Sequence, residues 1–206
     1  MIILKTIVIN AGPKRKDPNA QIMKSAAKGA ESVGAEVEYV DLYKLDLRGC
    51  MVCMICKQEG KSCKCYWRDE LSPLIERIFE CDCLLIGVPI FFTEPSSHYR
   101  ALMERLINCM LEYDVGNSFK GKVNVGLFYS IIFSENYFEE NVRPHLKQSE
   151  DLFYMFQGEV EINSIRHITK REYSLADKDD ETIKLREEQF KWDLKKAFVI
   201  GAELSK

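Results

Sequence analysis

Apolar positions along the 206 residues switch repeatedly between a period of two and a period near 3.6. Ile2 to Asn10 is a β-branched run that ends in AGPKRKDPN, which has the Gly and Pro of a loop. From Asn19, read as a helix cap, Ile22, Met23, Ala26, Ala27 and Ala30 fall on one helical face through about Val33. Glu36 to Leu42 alternates as a second strand. DELSPLIERIFEC, from Asp69, is a helix with its Pro near the first turn. Cys83 to Val88 is apolar without a break, as in a strand covered on both faces. PIFFTEPSS is a loop, and Ser96 or Ser97 caps a helix to about Tyr113. Val123 to Ser130 is a fourth strand, followed by a helix around Glu135 to Met155 and a strand at Gly158 to Ile168. Asp180 to about Leu204 closes the chain as a helix with Ile183, Phe190, Leu194, Phe198 and Ile200 apolar.

This βαβαβαβαβα order requires crossover helices and a parallel sheet, hence an α/β, three-layer, doubly wound fold. Five strands suit the flavodoxin-like order 2-1-3-4-5, in a single domain over 1–206 with a cysteine-rich insertion at about 47–68. Ligands of such sheets bind beyond the carboxyl ends of the strands, at the switch point between strands 1 and 3. The loops Ala11 to Asn19 and Pro89 to Ser97 leave that point.

Composition narrows the classes. Hydrophobic residues make up 46% and charged residues 30%, and the net charge is −3, with no long basic run. Nucleic acid is therefore not an expected partner. The longest apolar run, Cys83 to Phe92, is about half of the roughly 20 residues a membrane helix needs, so no membrane is expected. MIILKTIVIN lacks a basic leader and a cleavage site, which points to the cytoplasm, where clustered cysteines stay reduced and are metal-binding or catalytic more often than bridged.

The loop AGPKRKDPN ends at a helix start, where backbone N–H groups attract an anion. Gly12 permits close approach, and Lys14, Arg15 and Lys16 add positive charge, so a phosphate is the natural guest. In the second loop, Ile90, Phe91 and Phe92 can sandwich a flat ring while Thr93 and backbone amides bond its polar edge. Solvated basic loop and helix cover are the plain alternatives. Between them CMVCMICKQEGKSCKC, residues 50–65, carries five of the eight cysteines. Cys50, Cys53 and Cys56 give two C-x₂-C steps, a spacing that offers three thiolates to one cuboidal cluster, with Cys63 or Cys65 as the fourth. Zinc on Cys50, Cys53, Cys63 and Cys65, or no metal, remain open. Cys81, Cys83 and Cys109 read as core. His98, His145 and His167 have no partner at motif spacing, so a hydrolytic triad is unsupported.

INAGPKRKDPNAQIM, the cysteine stretch and IGVPIFFTEPSSHYRALMER, in that order, resemble the flavodoxin-like NAD(P)H-dependent FMN reductases, in particular their iron–sulfur flavoprotein branch. The resemblance covers roughly residues 1 to 130. It implies FMN held by Gly12, Pro13, Lys14, Arg15, Asn19, Ala20, Pro89, Ile90, Phe91, Phe92 and Thr93, with Tyr129 and Ser130 after strand 4. It implies a 4Fe-4S cluster on Cys50, Cys53, Cys56 and Cys63, with Cys65 in reserve. The family's Ser and Thr hydroxyls at the phosphate are Gly12 and Ala20 here. The implied function is electron transfer between a reduced donor, NAD(P)H among them, the cluster and FMN, with no side-chain acid or base. A small molecule or protein would be donor and acceptor, and the assembly a homodimer or homotetramer. A cluster-free FMN or quinone reductase is the first alternative, and a zinc-bearing binding protein on the same fold the second.

Overall fold

The computed structural model describes residues 3–114, 116–166 and 180–206. Strands β1 (Lys5–Asn10), β2 (Glu36–Asp41), β3 (Cys83–Phe91), β4 (Val123–Ile131) and β5 (Gln157–Arg166) form a parallel sheet in the order β2-β1-β3-β4-β5. That is the expected 2-1-3-4-5 order. Cys83 to Ile90 are all buried, because β3 lies centrally with helices over both faces.

Helices α1 (Pro18–Ser32) and α5 (Asp180–Leu204) cover one face, where Ile22, Met23, Ala26 and Ala197 pack on Val8, Leu85 and Phe128. Phe198, assigned to the apolar face of α5 by the sequence, is 38% exposed instead. His167 and the side chain of Ile183 lie outside what is described. The larger core, on the other face, is closed by α2 (Leu71–Glu80) and α3 (Ser97–Met110) together with Phe138, Leu146, Phe153 and Phe156. No described helix is long and apolar enough to cross a membrane.

Two local expectations need correction and a third needs refinement. Asp17, not Asn19, caps α1: its side chain accepts from the Ala20 N–H, and Pro18 stands in the first turn, where a missing N–H costs nothing. Helix α3 stops at Met110, and Leu111–Glu112 pairs back on Gly116–Asn117 as a small hairpin. The helix expected over Glu135 to Met155 is continuous but irregular. A first turn, Glu135–Tyr137, widens into a π turn at Phe138–Val142 before α4 (Arg143–Asp151), and a 3₁₀ stretch, Leu152–Phe156, follows. Pro144 is the cause, since it cannot donate to the preceding turn.

Candidate functional site

The register that sets Asn10 between Asp41 and Gly87 delivers the first loop to the switch point. Asn10 Oδ1 accepts from the Gly12 N–H (3.0 Å) and Asn19 Nδ2 (2.6 Å), while its Nδ2 donates to Asp41 Oδ1 (3.0 Å). Asn19 Nδ2 also donates to Gly87 O (3.1 Å), and Asn19 Oδ1 accepts from Ser130 Oγ (2.7 Å). Ser96 Oγ, which caps α3, donates to Ala11 O (2.7 Å) and ties the second loop to the first. Asn10, Asn19, Ser96 and Ser130 are all at most 2% exposed, so this network is a scaffold beneath the crevice.

The network relocates several expected contacts. The side chains of Asn19 and Ser130 serve each other, and Ala20 is fully buried. The Ala20 N–H is held by Asp17 Oδ1 at 2.9 Å, and Pro18 supplies no N–H. Burial pushes the Asp17 carboxyl up, and an anion at this helix end would lie beside that carboxyl. Pro13, Lys14 and Arg15 remain exposed at the lip. The sequence reading missed Asn10 and Asp17 and named Ser96 only as one of two candidate caps; D-P-N before an apolar helix was the legible signal for Asp17.

In the second loop β3 extends to Phe91, so Pro89 and Ile90 are buried strand residues. Phe92 and Thr93 form the two-residue turn of a hairpin that pairs Phe91 with Glu94 and Ile90 with Pro95. Both have positive φ, +51° and +70°, as in a type I′ turn, which Asn-Gly ordinarily fills. Phe91 is 43% exposed and Phe92 97%, an aromatic pair projecting at the crevice mouth. Tyr129 is 1% exposed and lies beneath, beside Tyr99 and Glu150 rather than at the mouth.

Past this hairpin a cavity of about 520 Å³ runs along α3, from Glu94 and Pro95 past Met103 and Ile107 to Asn108 and Leu111, with α4 as its other wall. His145 lines it, whereas His98 stacks on Tyr43 at 3.7 Å. Two of its residues also touch the cysteine loop. Glu104 Oε2 accepts from the Cys50 N–H (3.2 Å), and Asn108 Nδ2 donates to Cys50 Sγ (3.4 Å) and Cys56 Sγ (3.7 Å).

Cys50, Cys53, Cys56, Cys65 and Cys109 surround one pocket, closed by Tyr66, Trp67 and Arg105. Positive φ at Val52, Met54 and Gly60 curls the loop, and Lys57 Nζ anchors it on the carbonyls of Asn108 and Leu111, where the α3 dipole favours a cation. Cys63 is not among these thiols. Its N–H donates to Cys109 O (2.9 Å) and its Sγ lies 3.7 Å from Ser118 Oγ, on the other side of the chain. Cys65, held in reserve by the sequence reading, takes the place, as the Cys63 φ of +57° turns the chain between them.

The Cys65 thiol is lowered to about 5 by hydrogen bonds from Cys109, the Trp67 N–H, Arg105 and Ser72, against burial. The Cys109 thiol is correspondingly pushed up and keeps its proton. Cys81 and Cys83 are core, as expected, with burial raising Cys83 to about 12. Cys109 is buried too, but in the pocket wall. Among the described residues no three His, Cys, Asp or Glu side chains are gathered tightly enough to chelate a single ion; the thiols ring a pocket rather than a point.

A family model described as NADPH-dependent FMN reductase matches residues 4–164. An iron–sulfur flavoprotein of Methanocaldococcus jannaschii is 27% identical over 123 residues, covering 60% of this chain and 62% of that protein. One from Archaeoglobus fulgidus is 24% identical over 119 residues, 58% and 51% of the two. The chain thus spans between about half and three fifths of these curated relatives. Among solved structures, an NAD(P)H:quinone oxidoreductase from Methanothermobacter marburgensis superposes with a TM-score of 0.74 at 15% identity, over 100% of this chain and 98% of that one. An FMN-dependent NADH-azoreductase from Bacillus anthracis gives 0.63 at 13%, over 98% and 100%. At such identities the likeness is one of fold.

Proposed function

Because the chain belongs to the NADPH-dependent FMN reductase family, a family of flavin-dependent oxidoreductases, we propose that it is an electron-transfer flavoprotein with FMN in the switch-point crevice and a 4Fe-4S cluster in the thiol pocket. The observation that carries the cluster is the convergence of Cys50, Cys53, Cys56 and Cys65 on one pocket against α3, the helix whose other end frames the crevice. Four cysteines are the donor set a cuboidal cluster takes, and N–H donors on their sulfurs fit its negative charge; the space between them is about 20 Å³, so the loop would have to move outward to admit one. Zinc on Cys50, Cys53, Cys63 and Cys65 fits less well, since Cys63 faces Ser118.

FMN exchanges electrons as a pair or singly and a 4Fe-4S cluster one at a time, so the two together would couple a two-electron donor such as NAD(P)H to a one-electron partner. The protein's part is placement. The exposed cations of Lys14 and Arg15 would hold the flavin phosphate, and Gly12, whose N–H is bonded to Asn10, would leave room for its approach. Phe91 and Phe92 would cover the ring and exclude water, with Thr93 at its polar edge. Asn10, Asn19 and Ser130 keep both loops at fixed separation and move no proton. Donor and acceptor, small molecule or protein, and assembly as a homodimer or homotetramer complete the proposal.

The test is iron, acid-labile sulfide, zinc and FMN per chain in protein purified without oxygen. Near four iron, four sulfide and one FMN is the expected result. FMN without metal would leave a plain flavin reductase, and zinc without FMN would overturn the proposal.

A further inference from the structure

Arg105 is 1% exposed, and every one of its five N–H groups has a partner. Nη1 donates to Asp69 Oδ2 (2.5 Å) and Arg48 O (3.2 Å). Nη2 donates to Ser72 Oγ (2.5 Å) and Cys65 Sγ (3.1 Å), and Nε donates to the same sulfur at 3.3 Å. The Nε–Nη2 edge, the fork that ordinarily grips a carboxylate, is thus turned onto one sulfur. Asp69, the countercharge, takes only the far side. Asp69 is itself fixed by the N–H groups of Leu71 (3.1 Å), Ser72 (3.2 Å) and Arg48 (3.3 Å), so the guanidinium has little freedom to turn.

A neutral thiol is a weak acceptor and gives a buried guanidinium poor compensation for lost water. A negatively charged sulfur, thiolate or metal-bound, gives good compensation. The remaining thiols differ: Cys50 and Cys56 receive the neutral Asn108 amide, Cys56 also the Cys109 thiol, and Cys53 is exposed; none of them receives a guanidinium. We propose that Arg105 is a positioning residue that holds Cys65 as an anionic ligand and, through its two N–H···S bonds, raises the reduction potential of the cluster. This inference rests on the cluster reading above. It goes beyond the ligand set, because it assigns the control of potential to a side chain outside it. Hydrogen bonds to cluster sulfurs favour the more negative, reduced state.

The experiment compares anaerobically purified wild type, Arg105→Gln, Arg105→Lys and Asp69→Asn for iron, FMN and cluster potential by EPR-monitored titration. Arg105→Gln should keep FMN, which reports an intact fold, and shift the reduction equilibrium at least tenfold toward the oxidised cluster, about 59 mV for one electron. Arg105→Lys keeps the charge but loses the fork and should fall between. Asp69→Asn removes a negative charge and should shift the potential the opposite way. A purely structural Arg105–Asp69 pair would move both sets of variants alike, and that result, or unchanged potentials at full iron content, would overturn the inference. Should Arg105→Gln not fold, resonance Raman of the wild-type cluster in H₂O and D₂O decides, with the Arg105→Lys cluster as reference. A larger deuterium shift of the Fe–S bands in wild type supports the N–H···S bonds, and equal shifts overturn them. Wild type without iron would sink the cluster reading itself, whereas an iron-loaded protein insensitive at Arg105 would sink this inference alone.

Discussion

Phe92 and Thr93 show how a single residue's conformation marks a working site. A bulky aromatic and a β-branched residue in consecutive left-handed positions cost about 1–3 kcal/mol each, yet Phe92 has almost no packing in return. The turn is held for what it presents. Replacing the pair with Asn-Gly is expected to raise unfolding stability by about 1–3 kcal/mol and to weaken FMN binding, measured by denaturant melts and by flavin fluorescence. Equal stability would mean the surrounding loop already relieves the strain. The cysteines carry a second residue-scale prediction: Cys65→Ser should lose iron, whereas Cys63→Ser should keep it, by metal analysis. Which cysteine completes the pocket was not legible, because spacing counts residues and says nothing of direction. The left-handed turn at Cys63 and the fork of Arg105, forty residues from Cys65, make that choice.

Among the elements, the α1–α5 crossing has the tightest tolerance. A Cβ at Gly29 would lie 1.9 Å from Phe198 O, and one at Gly201 2.1 Å from Ala26 O, so two backbones touch where both helices lack side chains. Gly29→Ala is expected to destabilise the protein by at least about 1–3 kcal/mol despite its better helix propensity, with the loss read from thermal melts. The periodicity of α1 and α5 announced both helices, but their contact joins residues 26–29 to 198–201, and no pattern within either reveals it. The irregular helix before β5 was legible in part: Pro144 stood in the sequence, and the expectation of one regular helix passed over it.

Across the whole molecule, one buried group ties stability to pH. Glu150 is fully buried, with Arg143 Nε at 3.6 Å from Oε1 and neither oxygen hydrogen-bonded within the described residues, beside the equally unpaired hydroxyls of Tyr99 and Tyr129. Burial raises its carboxyl above the ordinary range, more than Arg143 lowers it. The folded state then binds this proton more tightly than the unfolded chain. The group's contribution to stability is full below the unfolded value, about 4.3, and is lost as pH rises through the folded one. Glu150→Gln should therefore melt higher than wild type at pH 7, and the gain should shrink toward pH 4. A gain that persists at pH 4 would place its cause elsewhere.

The sequence by itself determined the parallel sheet, its strand order, and the two loops and cysteine stretch that lie beside them. Strand and helix periods are local, and right-handed crossovers leave few ways to join them. It also identified the aromatic pair and the first three cysteines, because short spacings survive folding. Tertiary structure alone decided what faced inward. It committed Asn19 and Ser130 to a scaffold, placed Cys65 and Cys109 in the pocket and Cys63 outside it, and brought Arg105 to the sulfur. Each of these depends on pairs far apart in the chain, whose meeting is set by packing and by the need of buried polar groups for partners.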